Sequence, residues 1–212
     1  MKNTRDTIEK YFDNNIRVSV SNLVSRIEWE IVWIINKNDL EKNWIKRITS
    51  IWWWAQIYST DFLKRIWAKG SERNENWDID ARFYVDREKI NKIISIFTSE
   101  DNDNFELSIE RELREELTEE TIWEQEQTIL NEEDLWYFAE QYIWFYIWKW
   151  MSRRIEWEET LYIWNYFDVS VSEETYIKFV KSPYIHFLSP EEIRNWISNE
   201  WIEIWENIRA SL

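Results

Sequence analysis

Three glutamates in the run Arg111-Glu112-Leu113-Arg114-Glu115-Glu116-Leu117 stand at i, i+3 and i+4. On a helix that spacing gathers Glu112, Glu115 and Glu116 on one face. Ile109, Leu113 and Leu117 fall on an apolar stripe that turns inward. Clustered carboxylate oxygens on a packed helix are the donor set preferred by a hard divalent cation such as Mg²⁺. An acidic helix that is merely solvated shows the same offsets, so the spacing alone leaves both readings open.

The elements that must position such a helix follow from the apolar pattern. Residues 16–27 alternate as a strand, with 30–36 as its partner and Trp29 in the turn, a position suited to glycine. Residues 46–51 form a short strand running into Trp52-Trp53-Trp54. Residues 55–76 read as a loop with a short helix near 60–67. A strand over 79–85 and a helix over 86–97 follow, the latter turning Ile90, Ile93, Ile94 and Phe97 inward. Residues 99–104 are a polar break, and the acidic helix is expected over about 105–119. Long antiparallel strands are expected at 137–149 and 160–171, joined by a polar segment with Arg153, Arg154, Glu156, Glu158 and Glu159. A helix over 173–181, a strand over 184–188 and a helix opened by Ser189-Pro190-Glu191-Glu192 complete the chain. There is no repeat and no linker. The expectation is an N-terminal segment, 1–15, and one α+β domain, 16–212.

Composition narrows the function classes. The chain has 212 residues, 44% hydrophobic and 32% charged, which suits a globular protein with a core. A formal net charge of −15 argues against a protein held to a nucleic-acid polymer by phosphate contacts. A single nucleotide remains compatible if Mg²⁺ bridges its phosphates to carboxylates. The absence of cysteine excludes disulfides and thiolate metal sites. No run is long enough to span a bilayer and the first residues carry no apolar core, so no membrane association and a cytoplasmic location are expected.

The aromatic content is anomalous. There are 18 tryptophans and one glycine, Gly70. Ordinary domains carry roughly 7% glycine, because some positions require a positive φ. Many of the tryptophans sit in turn-like contexts, as in Asn76-Trp77-Asp78, Glu156-Trp157-Glu158 and Asn195-Trp196-Ile197, and they follow neither helical nor strand periodicity. We read most of them as standing where the organism's own protein has glycine, through a UGA codon assigned to glycine in the source lineage. The alternative is a natural tryptophan-rich surface for sugars or proline-rich peptides, but aromatic platforms do not replace turn glycines.

With that reading, Arg111-Glu112-Leu113-Arg114-Glu115-Glu116 resembles the R-E-U-x-E-E core of the Nudix box, where U is aliphatic. Ile51 followed by three glycines would resemble the strand and Gly-rich turn that open the box. Phe187-Leu188-Ser189-Pro190-Glu191-Glu192-Ile193 is similar to the closing strand and helix of many Nudix domains. About fifty residues separate the turn from the helix, so a strand–helix insertion, about 55–103, splits the motif. Asp103 stands where the family has glutamate, and Thr118 where it has the closing glycine. This split form is similar to Nudix-like domains associated with cyclic-oligonucleotide systems of bacterial antiphage defence.

The resemblance implies a Nudix-like α/β/α sandwich with a mixed sheet. It implies a Mg²⁺-dependent (or Mn²⁺-dependent) hydrolase acting on a nucleoside diphosphate linked to another moiety. Carried over residue by residue, Glu115 and Glu116 are metal ligands, Glu112 is a further ligand or the base, and Arg111 orients Glu112 through a charge-assisted hydrogen bond. Glu158 or Glu159 is a candidate further carboxylate, although a solvated turn accounts for both as well. The implied partner is a nucleotide or nucleotide-derived small molecule, and a homodimer is compatible. Two alternatives stand beside this: a sensor that keeps the fold but does not turn nucleotide over, and an acidic α+β domain in which the motif is coincidence. His186, flanked by Ile185 and Phe187, is expected to be a packed residue.

Overall fold

The computed structural model describes residues 15–35, 47–73, 78–99, 103–117, 130–152, 158–195, 198 and 203–204. In chain order its elements are β1 (Asn15–Ile27), β2 (Glu30–Ile35), β3 (Arg47–Thr49), β4 (Trp52–Trp54), β5 (Gln56–Ile57), α1 (Thr60–Arg65), β6 (Lys69–Arg73) and β7 (Ile79–Asp86). A 3₁₀ turn (Arg87–Lys89) leads into α2 (Ile90–Phe97), followed by α3 (Glu110–Leu117) and a second 3₁₀ turn (Glu132–Leu135). The chain continues through β8 (Ala139–Ser152), β9 (Glu158–Ser170), α4 (Glu173–Lys181), β10 (Ile185–Phe187), α5 (Pro190–Asn195) and β11 (Glu203–Ile204). The class is mixed α+β. Among the described residues no helix is long and apolar enough to cross a membrane.

The chain divides into two compact units. One comprises Met1–Ser21, Trp54–Leu107 and Phe145–Asn165, and the other Asn22–Trp53, Ser108–Trp144 and Tyr166–Leu212. The expected insertion, about 55–103, thus falls entirely within one unit, between Trp54 and Leu107.

In the first unit, the start of β1 pairs antiparallel with β7, Ile16 opposite Val85 and Val18 opposite Phe83, while β5 and β6 also pair with β7. Strict alternation sends Ile79, Ala81, Phe83 and Val85 to a buried face, as it does Ile16 and Val18 on β1. Phe62 and Leu63 of α1, Ile93 and Phe97 of α2, Phe105, and Leu161 and Ile163 of β9 belong to the same core. Phe97 is its hub, with ring centroids 4.6 Å from Phe105, 5.6 Å from Phe83 and 5.9 Å from Phe62. Such edge-to-face and tilted pairs add to the area they bury.

In the second unit, Arg26 lies opposite Ile31 and Ile27 opposite Glu30, closing a two-residue hairpin turn at Glu28-Trp29. β2 also pairs antiparallel with β3 and β10, and β11 runs parallel to β3, so the pairing is mixed. Trp33, Ile48, Leu188 and Ile193 form the core beside β2. The helix α5 opens with a capping box: the Ser189 Oγ accepts from the Glu192 backbone N–H at 3.2 Å, and the Glu192 carboxylate accepts from the Ser189 N–H at 2.8 Å.

Several boundaries differ from expectation. The acidic helix begins at Glu110, not near Phe105, because Phe105 bridges to Ile57 and is buried among the aromatic rings. Trp52–Trp54 is a short strand, not a turn. Its flanks explain this: Val24 donates to the Ile51 carbonyl and Ala55 donates to the Val20 carbonyl, both at 3.0 Å, which draws the backbone out between them. The expected loop 55–76 contains the strands β5 and β6 in addition to its helix.

Candidate metal centre

The glutamate helix α3 is held by its apolar stripe and by both its ends. Ile109, Leu113 and Leu117 are at most 1% exposed, so the stripe is buried as its spacing predicts. At the N-terminus, the Ser108 Oγ accepts from the Glu110 N–H at 3.2 Å, and the Glu140 carboxylate accepts from the Ile109 N–H at 2.8 Å and from the Ser108 hydroxyl at 3.3 Å. The buried Asn22 donates to the Ser108 carbonyl at 3.3 Å. A carboxylate at this end also meets the positive pole of the helix. At the other end the Leu117 carbonyl accepts from the Leu130 N–H at 2.9 Å. Along the solvent side, Arg114 pairs with Glu110 one turn earlier at 2.8 Å.

On this helix the backbone places Glu112, Glu115 and Glu116 along about 6 Å of axis. Arg111, half-buried, is on the same helix. The side chains of the three glutamates lie outside the described ones. Among the described residues no group of three histidines, cysteines or carboxylates is arranged to hold a metal. The chemistry of the donor set is compatible with Mg²⁺ or Mn²⁺: three oxygen-donor residues within about one turn of a helix anchored at both ends.

Other residues singled out from sequence have different situations. Asp103 is exposed in a turn. Thr118, Glu119, Glu120, Arg153, Arg154 and Glu156 lie outside the described residues. His186 stands in β10 opposite Trp33, half-buried, as a packed strand residue. Glu159 pairs with Lys149 at 2.5 Å and with Arg87, and these partners hold its carboxyl below the usual range. Glu158 accepts from the Tyr84 hydroxyl at 2.9 Å.

Burial raises the Glu158 carboxyl above the usual range, against the lowering effect of the Tyr84 hydrogen bond and the Arg17 charge. The folded state therefore binds this proton more tightly than the unfolded chain does. The stability this contributes is full in acid and is lost as pH rises through the folded value. Glu158→Gln cannot ionise, so it is expected to gain stability over the parent as pH rises above the ordinary glutamate range, about pH 4, the two converging in acid. Thermal unfolding from acid to neutral pH checks it, and parallel profiles would refute it.

Two features of the structure were not foreseen from sequence. One is the Glu140 contact with the start of α3. Glu140→Ala is expected to cost about 1–2 kcal/mol, the usual scale for losing a helix cap or a charged hydrogen bond. Urea unfolding would read it, and an unchanged midpoint would show that the contact contributes nothing. The other lies on the polar face of the first unit's sheet. There the buried Arg17 donates twice to one Glu72 oxygen, at 2.9 and 2.6 Å, and the buried Arg82 pairs with the other Glu72 oxygen at 2.9 Å and with Asp80. The Trp54 ring lies 3.9 Å from the Arg82 guanidinium. Two arginines against two carboxylates balance in charge, which suits a structural tie between strands.

Comparison with family models, curated proteins and solved structures finds no match for the chain.

Proposed function

We propose that the chain is a divergent Nudix-type domain that hydrolyses a nucleoside diphosphate linked to another moiety, with Mg²⁺ or Mn²⁺ at the glutamate helix. The observation that carries this reading is the anchoring of α3, with its apolar stripe buried and its first turn held by Ser108 and Glu140. A helix fixed in this way presents the R-E-U-x-E-E residues from a rigid support, which a metal-dependent site requires. Glu115 and Glu116 hold the metal, Glu112 is a further ligand or the base, and Arg111 orients Glu112. When bound, the ion neutralises charge on the diphosphate and lowers the pKa of its water. The mixed α+β class and the cap of α5 at Ser189-Pro190-Glu191-Glu192 agree with a Nudix-like sandwich. The net charge of −15 favours a small nucleotide substrate over a nucleic-acid polymer.

A second reading rests on Asp103 and Thr118, which replace the family's glutamate and closing glycine. In that reading the domain binds a nucleotide and senses it within a bacterial defence system, without turnover. The experiment that separates the two is hydrolysis of a panel of nucleoside diphosphate derivatives with Mg²⁺. It should use protein carrying glycine at the tryptophan positions, together with its Glu115→Gln and Glu116→Gln variants. Metal-dependent release of a nucleoside monophosphate supports the hydrolase. Nucleotide binding without turnover supports the sensor, and neither binding nor turnover removes both.

A further inference from the structure

Among the described residues, four have a left-handed backbone: Glu28 (φ 48°), Trp29 (φ 74°), Trp67 (φ 60°) and Gly70 (φ 63°). Gly70 is the chain's single glycine. Glu28 is tied in place, its carboxylate accepting from the Val171 N–H at 2.7 Å and its own N–H donating to the Val169 carbonyl at 3.0 Å. The remaining two are both tryptophan, a residue whose bulk makes a positive φ a genuine outlier.

Each tryptophan stands at the glycine position of a recognised motif. Glu28 and Trp29 are the two central residues of a two-residue hairpin turn with positive φ at both, the type I′ turn, whose second central position is characteristically glycine. Trp29 is 82% exposed, so almost no packing compensates its backbone. Trp67 follows the C-cap Ile66 of α1. Its N–H donates to the Lys64 carbonyl at 3.1 Å, and the Ala68 N–H donates to the Leu63 carbonyl at 2.9 Å. These paired bonds define a Schellman motif, and the left-handed residue after the cap is its glycine site. Lys89 and Lys92 lie 5.2 and 4.3 Å from the Trp67 ring, but such contacts are weak where exposed.

From these backbone angles we infer that the polypeptide made by the source organism carries glycine at positions 29 and 67, and that a codon read there as glycine stands behind both tryptophans. The two motifs are of different kinds, a hairpin turn and a helix end, and lie in different units, so each supports the assignment independently. It also holds or fails independently of the metal site, because it concerns neither α3 nor its glutamates.

Peptide mass spectrometry of the protein isolated from its source cells tests the assignment. Glycine in the peptides spanning 29 and 67 is the expected result, and tryptophan in both would overturn it. A second measurement uses the chain with tryptophan, compared with Trp29→Gly, Trp29→Ala, Trp67→Gly and Trp67→Ala in urea unfolding. Each glycine variant is expected to exceed both the parent and the alanine variant, with a folded-to-unfolded ratio on the order of fivefold higher than the parent. Glycine variants no more stable than the parent at both positions would count against the inference.

Discussion

Glu116→Gln is expected to lower metal-dependent turnover by at least about a hundredfold while leaving the unfolding transition in place. The substitution keeps the size of the side chain and removes only its charge and one strong oxygen donor. The stripe that holds the helix, Ile109, Leu113 and Leu117, is untouched, as are the Ser108 and Glu140 contacts at its start. Loss of function without loss of stability is the signature of a ligand on a preformed support. Glu115→Gln should behave alike. Raising the Mg²⁺ concentration should recover part of the activity if the remaining carboxylates still bind the ion, and substrate-concentration curves at several Mg²⁺ levels would read this. A variant that turns over at the parental rate would place the chemistry elsewhere.

Phe97→Ala is expected to be the most destabilising single substitution in the first unit, costing about 3–5 kcal/mol. Phe97 is fully buried and ends α2, with Phe62 of α1, Phe83 of β7 and Phe105 all around its ring. Removing it opens a cavity between two helices and a sheet, and three aromatic neighbours cannot collapse into it without leaving their own positions. The cost is a transfer penalty and a cavity penalty together. Urea unfolding would read the loss, and a cost below about 1 kcal/mol would mean that the cluster is not the core of this unit. Phe62, Phe83 and Phe97 lie within about 55–103, the stretch expected from sequence to be an insertion. Its own aromatic core gives that stretch a reason to fold as part of a compact body.

Where the local pattern is strong, the fold was legible. β1 and β2 were readable because alternation and a two-residue turn specify a hairpin together. α4 was readable because Ser172 caps it, accepting from the Thr175 N–H, and its ends are acidic first and basic last. α5 was readable through Pro190 at its first position. The start of α3 was not, because Phe105 carries both helical and strand potential and the nearby chain at Ile57 decides between them. β5 and β6 were not legible either. They are only two and five residues long, and β6 is polar and contains Gly70, so their pairing with β7 is set by tertiary context.

The candidate site divides in the same way. Spacing alone brought Glu112, Glu115 and Glu116 to one helix, and the burial of Leu113 and Leu117 follows from the same period. Glu140 carries no local signal, since its partner Ile109 is 31 residues away in the chain. The charged tie of Arg17, Glu72, Asp80 and Arg82 left a trace in the alternation of Asp80, Arg82 and Tyr84 with Ile79, Ala81, Phe83 and Val85. That trace reads as a solvated face until Arg82 and Asp80 are seen to be buried.

The central claim is that the glutamate helix is a divalent-cation site, and a Mn²⁺ titration followed by electron paramagnetic resonance tests it most directly. The protein with glycine at the tryptophan positions is predicted to bind Mn²⁺ in competition with Mg²⁺, and its Glu115→Gln, Glu116→Gln double variant is predicted to leave the ion free in solution. Equal binding by the parent and the double variant, or none by either, would contradict it.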